Sequence, residues 1–317
     1  MRMYQMISGT DLMVSRIVYG CMTLPTEPRA ALTALHTALD CGITMFDHAD
    51  VYQRGAAETM FARIWRDEPG LRERIVLQSK CGIRQAGDPV AHAPKRYDLS
   101  RDHILQAVEG SLRRLATDHL DILVLHRPDP LVEPDEVAEA FTRLAAAGKV
   151  RHFGVSNHSA AQIALLQRAI GMPLVVNQLQ FSVLHSHLVN AGIITNQTDP
   201  PHAVRGDGTL EYCRLHDITI QAWSPLARGQ VSGGLAADAD ARTRHTATLV
   251  AELAAQHRVS PEAIVLAWVL HHPARMQAVI GTTDPARIAA CVAALGVTLS
   301  REEWYLLFTT GRGAEIR

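Results

Sequence analysis

Eight times along the chain a short apolar run, rich in β-formers, gives way to a longer segment with helical spacing, and few folds accommodate that rhythm. The runs fall at 17–19, 44–47, 75–80, 122–126, 152–156, 174–178, 219–223 and 278–281. Strand followed by helix is the pattern of βα units, which assemble into a parallel sheet with helices on its outer face. Helix starts are readable between the runs. Ser100 can cap a segment in which Ile104, Val108, Leu112 and Leu115 share a face, while Ser260-Pro261-Glu262 and Asp284-Pro285 each set an N-cap before a first-turn proline. Eight such units predict an α/β fold, a closed (β/α)8 TIM barrel occupying 1–317 as one domain. An open doubly wound sheet is the competing arrangement, but no G-x-G-x-x-G follows the first run, so that fold's usual nucleotide signature is missing.

The length of 317 residues and the 47% hydrophobic content suit a core of that size. Lys and Arg total 31 against 32 Asp and Glu, scattered throughout, so there is no basic footprint for nucleic acid and no block suited to an anionic membrane surface. A small molecule is the expected partner. The five cysteines, Cys21, Cys41, Cys81, Cys213 and Cys291, are odd in number and widely spaced, which reads as reduced thiols of a cytoplasmic protein. The first residues lack a signal-like apolar segment, and no run approaches the roughly 20 apolar residues that span a bilayer.

Three stretches break the rhythm, at 81–99, 182–209 and 226–240. In a barrel the loops after strands sit at the C-terminal face, where chemistry occurs, so these are expected to shape a pocket. Within the second, Asn196-Gln197-Thr198 matches a glycosylation acceptor and Arg205-Gly206-Asp207 an adhesion tripeptide; without a secretion signal both read as chance.

The ends of the runs carry the chemistry. The second run ends in Asp47, the third in Lys80 and the fourth in His126, and Tyr52 follows Asp47 closely enough to fold back over the same rim. Carbonyl reduction needs a hydride for carbon and a proton for oxygen, from a donor that is neutral yet able to bear transient negative charge. A tyrosine beside an ammonium meets that requirement, because the cation favours phenolate. Tyr52 is therefore read as general acid, Lys80 and Asp47 as the pair that tunes it, and His126 as the donor that orients the carbonyl oxygen. Each has a structural alternative when taken alone: a packed tyrosine, a buried ion pair, a core histidine. His48 and Asp50 suggest a metal, but an ammonium beside a dication would be repelled, so no metal is expected.

Phe46-Asp47-His48-Ala49-Asp50-Val51-Tyr52, Gln78-Ser79-Lys80, Leu125-His126-Arg127-Pro128 and Gly154-Val155-Ser156-Asn157 together resemble the aldo-keto reductases, in the family's order and over nearly the whole chain. Within that family, His126-Arg127-Pro128-Asp129-Pro130 and the stretch from Lys149 to Asn157 are most similar to the bacterial YdhF-like oxidoreductases. The resemblance implies a nicotinamide cofactor. It places Ser156, Asn157 and Gln178 on the carboxamide and Trp223 against the ring, with Gly20, Met22 and Asp47 also beside the cofactor. Ser224, Pro225, Leu226, Arg228 and Gly229 fall on the pyrophosphate segment. Gly281, Thr282, Thr283 and Arg287 fall on the adenosine 2′-phosphate segment. Thr282 stands where many relatives carry a lysine, and Asp284 adds a negative charge; with Arg287 present NADP(H) is favoured, and NAD(H) is the alternative.

The expected activity is NADPH-dependent reduction of an aldehyde or ketone. Two other readings stay open: a cofactor-sensing regulatory subunit of the same fold with little turnover, and an NADH-linked enzyme that oxidises alcohols. Cys21, Met22, Tyr52, Arg84, His92, Lys95, Arg127 and the 182–209 stretch are candidates for the substrate walls. The substrate itself and the oligomeric state are not readable from sequence.

Overall fold

Runs such as Val76–Cys81 and Leu120–Leu125 are buried at every residue, the signature of strands covered on both faces. The computed structural model describes residues 1–193 and 208–316, and in it the strands close into a barrel. Its members are β1 (Ile17–Gly20), β2 (Met45–Asp47), β3 (Val76–Cys81), β4 (Leu120–Leu125), β5 (Val150–Ser156), β6 (Leu174–Gln180), β7 (Thr219–Trp223) and β8 (Gln277–Ile280). Each pairs in parallel with its sequence neighbours, and β8 returns to β1. All eight expected runs are strands, with ends displaced by at most two residues.

Two apolar cores result. The larger lies between barrel and helices, where Ile104, Val108, Leu112 and Leu115 of the helix Arg101–Leu115 are buried against β-strand residues such as Leu77 and Leu123. The smaller fills the barrel's lower interior with Val18, Met45, Val76, Ile122, Val124, Val176 and Val279, joined by Ile7, Leu12 and Val14. Those last three come from an N-terminal hairpin, Tyr4–Met6 against Met13–Ser15, that plugs the barrel floor. Its strands are three residues long, too short to stand out as periodic runs.

Ser260 and Asp284 cap their helices as expected, accepting from Ala263 N and Arg287 N. Ser100 occupies the N-cap position without capping; its hydroxyl instead donates to Asp98 Oδ1 at 2.6 Å. The 81–99 stretch is not simply loop. Ile83–Arg84 pairs with Arg96–Tyr97, and Arg84 Nε holds Asp98 Oδ2 at 2.7 Å. The 182–209 stretch contains a helix, His187–Ile193, while 194–207, including the glycosylation-like and adhesion-like tripeptides, lies outside the described residues. In the third stretch Ala227–Gly229 forms a single 3-10 turn.

The seam between β5 and β6 is the irregular one, with a register shift between Leu174 and Asn177. Gly154 allows it: a Cβ there would lie 2.3 Å from Val176 Cγ2 and 2.8 Å from Val176 O. Since backbone cannot swing aside, Gly154→Ala is expected to destabilise by about 1–3 kcal/mol, as overpacking does. Gly171→Ala, where nothing lies within 4 Å, serves as the control in urea unfolding; it should change stability by less than about 0.5 kcal/mol.

Candidate active site

β2 and β3 run side by side with Asp47 opposite Gln78, and the pairing continues past the end of β2, where His48 N donates to Gln78 O and Asp50 N to Lys80 O. That continuation carries the chain over the rim and sets Tyr52 at the start of a short turn, Tyr52–Gly55. His126 follows β4 directly, its N–H held by Cys81 O at 2.9 Å. The four residues expected to act together are thereby brought together. Lys80 Nζ donates to Asp47 Oδ2 at 2.6 Å, to His48 O at 2.9 Å and to Tyr52 Oη at 2.9 Å, which uses all three ammonium protons. The Tyr52 and His126 rings meet edge to face, 5.9 Å apart at 83°.

Side-chain exposure of Lys80 and Asp47 is 0% and 2%, so the ion pair is dry. Burial alone would lower the lysine pKa, but Asp47 and Tyr52 outweigh it and the pKa is raised. For Tyr52 burial is the larger influence and raises the pKa; Lys80 opposes it without reversing it. The expectation that the lysine depresses the tyrosine pKa is corrected to that extent, because desolvation penalises phenolate throughout the site. His126 is driven down to about 2 by burial, by Lys80 and by Arg127, and is a neutral imidazole. Its Nδ1 is buried with no hydrogen-bond partner among the described residues.

A second layer was not read from the sequence. Glu58, fully buried, accepts from Ser79 Oγ at 2.7 Å and from Arg114 Nε at 2.8 Å. Burial and Glu58 push Asp50 up to about 7. His48 packs edge-on against Phe61, 4.6 Å away, with both ring nitrogens buried. Asp47 Oδ1 accepts from Gln78 Nε2 at 2.5 Å and Gln178 Nε2 at 3.1 Å. Glutamines inside the apolar runs at 78 and 221 were the available signal, since a buried amide requires partners.

On the other side of the mouth, Ser156 Oγ donates to Gln178 O at 2.8 Å and accepts from Asn157 Nδ2 at 2.7 Å. Asn157, in the left-handed region at φ 61°, accepts from Trp223 Nε1 at 3.1 Å. Arg127 lies over the Trp223 ring at 5.9 Å. Beyond Trp223, Ser224, Ala227 and Arg228 all have positive φ, and such strain gathers where backbone is shaped for a ligand. Pro225 and Leu226 are buried beneath that turn, and Arg228 is exposed. A Cβ on Gly229 would sit 3.3 Å from Arg287 Nη2, which places the turn and Arg287 at one end of the groove. There Thr282 Oγ1 accepts from Asp284 N, and Arg287 Nε holds Glu262 Oε1 at 3.0 Å. The Asp284 carboxylate is committed to Arg287 N as a cap, and the Arg287 side chain stays 41% exposed. Gly281 O accepts from Thr23 Oγ1, Thr283 is half-buried and Met22 is 57% exposed. Gly20 is buried, and a Cβ there would lie 3.0 Å from Ile280 O and from Val279 Cγ1 of the neighbouring strand. Cys21 has no exposure, so it cannot line an open pocket, and the charge of Arg84 is taken by Asp98 and Asp88. His92 and Lys95 are exposed on the 81–99 hairpin.

A neutral histidine, a lysine-bound tyrosine, an indole and the partly exposed Arg287 thus stand along one rim of the barrel. The sequence model of the aldo/keto reductase family matches residues 16–307. The chain belongs to the aldo/keto reductase family. It is 36% identical over 308 residues to the oxidoreductase YdhF of Escherichia coli, covering 95% of each chain. It is 35% identical over 318 residues to a 6-dehydroglucose reductase of Agrobacterium fabrum, covering 98% of this chain and 99% of the relative. A solved glycerol dehydrogenase from Gluconobacter oxydans shares the fold, with TM-score 0.81 at 23% identity over 97% of this chain and 94% of that one. The protein is thus an oxidoreductase of this family, and among the described residues no helix is long and apolar enough to cross a membrane.

Asp47 is the acid that balances a dry ammonium. Asp47→Asn is expected to cost about 3–5 kcal/mol, the usual effect of stripping one partner from a buried pair. In that variant burial acts on Lys80 without its main counterweight, so its folded pKa falls from the raised native value. The deficit is then largest where Lys80 must stay charged and narrows as pH rises, which unfolding curves at neutral and alkaline pH will read.

Proposed function

We propose that this aldo/keto reductase reduces an aldehyde or ketone to the alcohol, with NADPH preferred to NADH, and that Tyr52 delivers the proton. The observation that carries the reading is the Tyr52 hydroxyl held 2.9 Å from a buried ammonium beside a neutral histidine. When bound, a reduced nicotinamide would supply the hydride that the carbonyl carbon needs. His126, neutral and desolvated, donates a hydrogen bond to the carbonyl oxygen and aims it at Tyr52. Tyr52 gives its proton to that oxygen as charge develops, and Lys80 stabilises the phenolate left behind. Asp47 keeps Lys80 charged and directed, and solvent returns the proton to Tyr52 after release. Ser156, Asn157 and Gln178 would hold the carboxamide, and Trp223 would offer a face to the ring.

At the far end of the groove, the exposed part of Arg287, with the Thr282 hydroxyl, supports a 2′-phosphate. Arg228 and the strained turn around it support the pyrophosphate. The Agrobacterium relative acts, by its name, on an oxidised sugar, which supports a polar, hydroxyl-bearing aldehyde as the first substrate class to test.

Tyr52→Phe should lower kcat for aldehyde reduction by about 10²–10⁴-fold, the range of general acid catalysis, while NADPH binding stays close to native. His126→Ala should reduce turnover far more than cofactor affinity, and Arg287→Ala should weaken NADPH about tenfold or more with little effect on NADH. A wild-type rate no higher than that of Tyr52→Phe would sink the reading. The pH profile adds a separate check. A protonated Tyr52 is the active form and its pKa is raised, so kcat/KM should stay level through neutral pH and fall only beyond the ordinary tyrosine value of about 10. No limb from His126 should appear near pH 6.5, because its pKa lies at about 2.

A further inference from the structure

A column of amides runs down the barrel interior below Asp47, and the proton-transfer chemistry uses only its upper end. Gln277 Nε2 donates to Ser15 O at 2.9 Å and to Met45 Sδ at 3.5 Å. Gln277 Oε1 accepts from Gln221 Nε2 at 3.0 Å. Gln221 Oε1 accepts from Gln78 Nε2 at 2.8 Å and from Gln178 Nε2 at 3.1 Å, and both of those nitrogens also donate to Asp47 Oδ1. Gln221, Gln277 and Gln78 have no exposure, and Gln178 has 3%.

An isolated amide has no fixed polarity, since a half-turn of its last torsion exchanges donor for acceptor at almost the same shape. The ends of this column remove that freedom. Ser15 O can only accept, so Gln277 must point its nitrogen down and its oxygen up. Gln221 must then donate to Gln277, which turns its own oxygen toward Gln78 and Gln178, and both must donate to it. Asp47, a carboxylate already paired with Lys80, imposes the same direction from above. A flip at Gln221 alone would set acceptor against acceptor and donor against donor in a dry interior. Both protons of Gln178 Nε2 are thereby consumed inside the barrel, and the one group Gln178 has left for a ligand is the acceptor Oε1.

We propose that Gln221 and Gln277 are positioning residues that lock the Gln178 amide in its acceptor orientation, so that the site selects a ring substituent able to donate there, the carboxamide NH2 of the nicotinamide. The assignment rests on the nicotinamide-dependent function proposed above. It makes the barrel floor, through Ser15 O, part of the cofactor specificity of the rim.

The test compares binding of NADP+ with binding of its 3-acetylpyridine analogue, in which a methyl ketone replaces the carboxamide and the NH2 donor is lost. Quenching of tryptophan fluorescence reads both affinities without turnover. The native protein should prefer NADP+ by about tenfold, the scale of one satisfied buried hydrogen bond. In Gln221→Met, flipping Gln178 breaks one bond instead of two, and the preference should fall at least about threefold. Gln277→Met removes the lower of the two anchors that fix Gln221 and should move the preference the same way, and it carries the test should Gln221→Met fail to fold. A parallel loss of both affinities with an unchanged preference would make the column mere packing and overturn the proposal. So would a native protein that does not distinguish the two ligands. A native protein that binds neither would overturn the nicotinamide reading itself, a result distinct from either.

Discussion

The dry ion pair between Lys80 and Asp47 is the constraint around which the site is arranged. Two charges removed from water carry a desolvation cost that their mutual attraction repays only when the remaining donors and acceptors are also satisfied. Here they are. The ammonium spends its protons on Asp47, His48 O and Tyr52, and the carboxylate's other oxygen receives two glutamine amides. Such a pair contributes little net stability for its volume. Its worth lies in holding a full positive charge 2.9 Å from a tyrosine hydroxyl without water to screen it.

That requirement reaches into the scaffold. Asp47, Lys80 and His126 stand at the ends of neighbouring strands because β2, β3 and β4 pair in register, and Tyr52 reaches them because the chain beyond β2 keeps following β3. Burial acts on every group in the cluster, and its sign depends on which form is charged. It raises Tyr52, keeps His126 neutral, and would discharge Lys80 but for Asp47. One physical cause therefore leaves a neutral tyrosine and a neutral histidine beside a cation that only Asp47 and Tyr52 retain. Below them the interior is divided, with valines and methionine filling the floor and a column of glutamines crossing it. At the rim several non-glycine residues, Gln53, Arg54, Asn157, Ser224, Ala227 and Arg228, have positive φ, where the backbone departs from its easiest conformation.

Much of this was legible in the residues. The eight strands could be read because most of their residues are buried, so that each appears as a short run rich in apolar β-formers, and Asp47, Tyr52, Lys80 and His126 could be read because they close those runs or follow them closely. The misreadings have physical causes. Ser100 looked like a cap, yet Asp98 offered its hydroxyl a nearer acceptor. Cys21 and Arg84 looked like pocket walls, yet one is packed inside and the other is held by carboxylates of its own hairpin. For Ser100 and Arg84 a competing partner, close in space, took the group's hydrogen-bonding capacity, and for Cys21 packing removed the exposure.

The sequence by itself determined the alternation of strand and helix, hence the barrel, and the identity of the groups delivered to its rim, because periodicity and strand ends are properties of short stretches of chain. Only the tertiary structure decided how those groups behave. Whether burial or Lys80 prevails at Tyr52, how much of Arg287 is left by Glu262, and which face of the Gln178 amide is turned to a ligand all depend on residues from distant strands meeting within hydrogen-bond distance. Desolvation and hydrogen-bond saturation are collective properties of a packed interior, and no single segment of the chain carries them.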